Sequence, residues 1–121
     1  MKYETLYDDF ISLFPDDKFA LEGKAKSLCI DETDGVHVWF GMIVVPFVIE
    51  LLNSNKVSKL HLAFNFFEKM ALSNDSRIEE VLEFSVLEEI LSAENKEINH
   101  LKKYMGEKTL EYCLNAEKYI L

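Results

Sequence analysis

Residues 36–52, VHVWFGMIVVPFVIELL, hold the chain's only tryptophan, two phenylalanines and a dense set of valine, isoleucine, leucine and methionine. Set at about 100° per residue, these side chains point all round and leave no polar stripe, so a helix here is enclosed by protein or by lipid. A bilayer span needs about 20 predominantly apolar residues, and His37 and Glu50 bound this run short of that. The expectation is therefore a buried central helix on which amphipathic neighbours pack. Asp34 is its candidate N-cap. Pro46 lies inside the run and removes a hydrogen bond. It predicts a kink, or a second helix that starts at Pro46, where a first-turn proline is tolerated. Asn53-Ser54-Asn55 closes the segment.

The flanking sequence reads as helical too. Over Tyr3 to Phe14, the apolar Leu6, Phe10, Leu13 and Phe14 recur at the spacing of one helix face, and Pro15-Asp16-Asp17 ends the pattern. Residues 18–34 are the least regular. FALEGKAKSLCI fits a short helix or an extended segment, and DETDG is a turn with Gly35 available for a positive φ. SLCI and VHVWF on either side of that turn also fit a β-hairpin. From Val57 to Leu72 the pattern is the clearest. Val57, Leu60, Phe64, Phe67 and Ala71 make one stripe, widened by Ala63 and Met70, with Ser58, His61, Asn65 and Glu68 beside it. Ser76 is placed to cap a helix over Arg77 to Ala93, with Glu79 at the capping-box position. That helix is apolar enough to be largely enclosed, with its first turn and one side near Glu88 and Glu89 reaching water. Residues 95–104 and 107–120 form a last pair broken at Gly106, read as a glycine beyond a helix C-terminus.

The fold class is thus all-α: one domain over residues 1–121, with five to seven antiparallel helices as an irregular bundle or a short α-solenoid-like stack. Four glycines and two prolines in 121 residues are too few for an all-β chain rich in turns, and 49% hydrophobic residues supply a core and exclude disorder. The net charge of −9 opposes binding to nucleic acid or to an anionic membrane, and it attracts basic proteins. MKYETLYDDF is too acidic and polar for a secretory signal. The expected location is the cytoplasm, with Cys29 and Cys113 reduced and both read as inert, buried thiols.

No established catalytic motif stands out. His61, Asn65 and Glu68 share a helix face, but the spacing is not HExxH and no second ligand pair is near, so a hydrated polar face explains them. Cys-His catalysis lacks a local signature. Acidic pairs such as Glu88-Glu89 point about 100° apart on a helix and do not converge as an acid/base pair must. No metal or cofactor is expected. What the acids can form is a docking surface. Asp8, Asp9, Asp16, Asp17, Asp31, Glu32 and Asp34 fall in the first third of the chain, and Glu79, Glu80 and Glu83 follow as a second candidate group. Converged, such acids suit the basic groove of a nuclease, where charge complementarity gives speed and specificity.

From Val36 onward, about two-thirds of the chain resembles a family of small helical bacterial proteins. The resemblance rests on Glu50-Leu51-Leu52, on Phe64-Asn65-Phe66-Phe67-Glu68, on Leu87-Glu88-Glu89-Ile90-Leu91 and on Tyr104-Met105-Gly106-Glu107-Lys108-Thr109. These proteins are immunity proteins of contact-dependent growth inhibition and related polymorphic toxin systems. The resemblance implies a non-catalytic protein that binds the C-terminal domain of a cognate toxin, a nuclease by the charge argument, and occludes its active site. Two further readings stand beside it: a helical adaptor for another cytoplasmic protein, which an exposed apolar patch would favour, and a small metalloprotein or hydrolase that uses His61 and Glu68. Oligomeric state is left open.

Overall fold

The structure is a computed structural model that describes residues 1–93 and 98–120. Among these residues it has seven helices and no strand. A 3-10 turn, Tyr3–Thr5, leads into α1 (Leu6–Ile11), followed by α2 (Lys18–Ser27), α3 (Val36–Asn53), α4 (Val57–Ala71) and α5 (residues 76–92). Next come α6 (Ile98–Leu101), which runs into a 3-10 turn at Lys102–Tyr104, and α7 (Glu107–Ile120). The all-α expectation holds, and the β-hairpin alternative around residue 31 does not. The part of the expected penultimate helix at residues 95–97 lies outside the described residues.

The segment that replaces the hairpin is made by two local devices. At the end of α2 the backbone turns left-handed at Cys29 (φ 58°). The Ile30 N–H donates to the Ala25 carbonyl at 2.9 Å and the Cys29 N–H to Lys26 at 3.1 Å, the paired bonds that end a helix when the residue past its C-terminus turns left-handed. The same closure recurs at Asn55 after α3. Asp31 then accepts from the Thr33 N–H, while Asp34 reaches back to accept from the Asp31 N–H at 2.8 Å. Asp34 is therefore engaged in its own 3-10 turn and does not cap α3. Gly35 (φ 89°) takes that position, a conformation costly for any residue with a Cβ. The α5 cap is also displaced: Asp75, one residue before Ser76, accepts from the Arg77 N–H.

Phe10 is the hub of the core. It is wholly buried and stacks on Phe67 at 5.8 Å with the rings nearly parallel. Phe14, Phe40 and Phe66 lie 5.1, 5.9 and 5.4 Å from it. One ring thus joins α1, α3 and α4. Phe14 is buried as the periodicity predicts, although α1 ends at Ile11 and Phe14 sits in the turn that follows.

α3 runs unbroken through Pro46, because Phe40–Val44 forms a π-helical turn just ahead of it. The wider turn moves the carbonyl that a proline ring would strike in a regular α-helix. At 18 residues and a mean hydropathy of 1.8, α3 is long and apolar enough by composition to cross a membrane, so length alone does not exclude a span. In this structure it serves as the core helix against α1, α4 and α5. It is not fully enclosed, however, since 39% of it is buried. Val38, Met42, Pro46 and Ile49 form a half-open flank, while Phe40, Ile43, Val44 and Val48 face inward.

Candidate functional site

The acid-bearing face with the most structure around it is built on an aromatic pair. Tyr7, on α1, lies 4.6 Å from the ring of Trp39 on α3. The Trp39 indole N–H donates to the Asp31 carbonyl at 3.0 Å, which ties the DETDG turn to the pair. Burial pushes the Tyr7 hydroxyl up to about 12, and the charges of Asp8 and Glu22 beside it push the same way. The Thr33 hydroxyl, then its N–H, holds the Asp31 carboxyl below its ordinary range. Tyr7 and Trp39 are half-buried, whereas Asp8, Glu22, Asp31, Glu32 and Asp34 are exposed. The result is an aromatic floor, of the residue types that dominate binding energy at protein interfaces, with exposed acids as its rim.

The other candidate acids do not join this rim. Asp17 is half-buried and ion-paired to Lys59 at 2.7 Å, on the side where α2 meets the start of α4. Asp16 is exposed beside it in sequence. Asp9 accepts from the Thr5 hydroxyl. Glu79 and Glu83 stand near Tyr112 of α7, whose hydroxyl is pushed up first by burial and then by these charges. Glu83 is itself raised by burial and by Glu88 and Glu80. Val81–Leu87 is π-helical, and a π turn brings residues five apart toward one face, in keeping with the push of Glu88 on Glu83.

Glu68 has a structural task. One carboxylate oxygen accepts from the Thr109 N–H and hydroxyl at 2.8 and 2.7 Å, and the other from the Lys108 N–H at 3.0 Å. These are donors of the first turn of α7, so α4 caps α7 across some forty residues of sequence. Burial works against the charge, but the bonds from Thr109 and Lys108 outweigh it and hold Glu68 below the ordinary carboxylate range. Gly106 makes room for this contact: a Cβ there would collide with the Glu68 carboxyl group. It is not the left-handed helix terminator its sequence position suggests. His61 packs edge-on against Tyr104 at 5.1 Å. Among the described residues no group of three or more His, Cys, Asp or Glu is arranged to hold a metal.

The two thiols differ. Cys113 is fully buried, and burial, then Glu117, pushes it up to about 11. Cys29 is exposed, contrary to its apolar sequence neighbours, because it occupies the left-handed turn after α2.

A second surface feature is an apolar trough along the open flank of α3. Its larger part, about 740 Å³, has Ala20, Leu21, Gly41, Val45, Pro46 and Ile49 among its walls. A smaller hollow of about 260 Å³ continues it past Gly41 to Val38, Met42 and Phe84. The sequence reading missed it because it took α3 as enclosed on every side.

The family of domains described as "Domain of unknown function (DUF7674)" matches residues 7–120. The chain belongs to that family. The match takes in both the Tyr7–Trp39 face and the Glu68–Gly106–Thr109 lock. No curated protein and no solved structure matches the chain.

Proposed function

We propose that this domain is a cytoplasmic immunity protein that binds the C-terminal domain of a cognate toxin and neutralises it without chemistry of its own. The supporting observation is the Tyr7–Trp39 floor with its rim of Asp8, Glu22, Asp31, Glu32 and Asp34. Lysine and arginine side chains of a nucleic-acid-cleaving partner fit that rim, and the rings supply the desolvated contact. The acids around Tyr112 remain a second candidate surface, while Asp17 is engaged inside the fold. The resemblance described above supplies the class of partner; the −9 charge supplies its sign.

The reading expects the gene immediately upstream to encode a secreted protein with a toxic C-terminal domain, and the test is co-expression with that domain. Growth is restored by the wild-type chain and lost with the exposed reversals Asp8→Lys and Glu32→Lys together. Asp16→Lys and Glu80→Lys leave protection intact. Growth arrest despite a soluble wild-type chain defeats the reading.

The trough along α3 favours a second reading, a helical adaptor that seats an amphipathic segment of another protein. That reading requires a trough that stays free in solution.

A further inference from the structure

We propose that the open flank of α3 is the contact face of a homodimer, in which Met42 and Phe84 of each copy enter the trough of the other. The face carries both halves of a self-complementary fit. Its protrusions are Met42 and Phe84, 45% and 51% exposed. Its recess is floored by Gly41, which has no side chain, and by Pro46. The two hollows share Gly41 and Glu89, so recess and protrusions lie side by side on one helix. A two-fold axis across α3 then pairs each protrusion with a recess, as an isologous interface demands.

Charge selects a second copy over a foreign partner. Two chains of net charge −9 repel through most of their surface. The trough is locally balanced. Of its charged wall residues Asp17, Lys24, Glu50, Lys56 and Glu89, Asp17 is neutralised by Lys59. Two lysines then face two glutamates, and among the described residues neither Lys24 nor Lys56 makes an ion pair within its own chain. An antiparallel crossing of two α3 helices carries Lys56, just past the C-terminal end of one, toward Glu89 beside the N-terminal half of the other. A strongly basic or strongly acidic partner gains nothing from such a rim, whereas the half-turn of a second copy sets Lys56 against Glu89 twice over. The Tyr7–Trp39 face is not part of the trough lining and is left open for a different partner.

Sedimentation equilibrium of the purified chain tests this at a loading of roughly 100 μM, well above the micromolar dissociation constants that ordinary interfaces reach. The expected mass is twice the 14.1 kDa of one chain. Met42→Glu shifts it to one chain mass with an unchanged circular dichroism spectrum, because Met42 is exposed in the single chain. Lys56→Glu weakens association at least tenfold, and Glu89→Lys added to it restores association. A wild-type chain that stays monomeric at that loading overturns the proposal and leaves the trough to a foreign helix. A dimer indifferent to Met42→Glu overturns it equally.

Discussion

Glu68 joins α4 to α7 through three hydrogen bonds to donors that a helix start otherwise leaves unsatisfied. Glu68→Ala is expected to cost about 1–3 kcal/mol in urea unfolding, the range for a charged acceptor withdrawn from such donors. Gly106→Ala displaces the same carboxyl, so the double variant costs much less than the sum of the two. The contact also has a pH signature. The folded protein holds Glu68 below its ordinary value, so its stabilisation is complete above the unfolded value of about 4.3. It is lost as pH falls through the lower folded value. Thermal melts from pH 6 down to about pH 2.5 should show wild type converging on Glu68→Gln only at the acid end. Little of this was legible beforehand. The sequence places Glu68 on a polar stripe beside His61, and nothing in a linear pattern reveals that the stripe's last member meets Gly106 and Thr109.

At the scale of helices, positions were legible where apolar residues repeat at regular spacing. α4 falls at Val57–Ala71, within one residue of the expectation, and its stripe of Leu60, Phe64 and Phe67 is buried. The π turns were not legible, since they shift side chains by changing the period itself. One runs through Phe40–Val44 and the other through Val81–Leu87. The π turn before Pro46 also changes what that residue costs. Pro46→Ala should alter stability by less than about 1 kcal/mol, against the roughly 3 kcal/mol regained where an interior proline distorts a regular helix. Denaturant midpoints read the difference. Glu83 gives the opposite pH sense to Glu68. Burial, Glu88 and Glu80 raise its folded value, so stability falls as pH rises through the interval between the unfolded and folded values. Glu83→Gln should therefore melt higher than wild type at pH 7 and no higher at pH 3.

For the whole molecule, the all-α architecture was legible because too few glycines and prolines were present for strands and turns, and because one apolar helix needed wrapping. The make-up of the candidate Tyr7–Trp39 face was only partly legible. The N-terminal acids were named, but sequence proximity does not separate Asp8 and Asp31, which frame Tyr7 and Trp39, from Asp17, which pairs with Lys59. Glu22 was missed because it lies on the irregular stretch whose helix, α2, was left undecided. The account treats the molecule as a rigid helical core that presents an aromatic floor and an acidic rim to a basic partner. The most direct test is calorimetric titration of the purified chain, at low and at high salt, with a toxin domain that the chain protects against in co-expression. The account predicts a complex that weakens as salt rises and loses about tenfold or more in affinity, about 1.4 kcal/mol, on Asp8→Lys. Absence of a complex, or an affinity indifferent to both salt and that reversal, would contradict it.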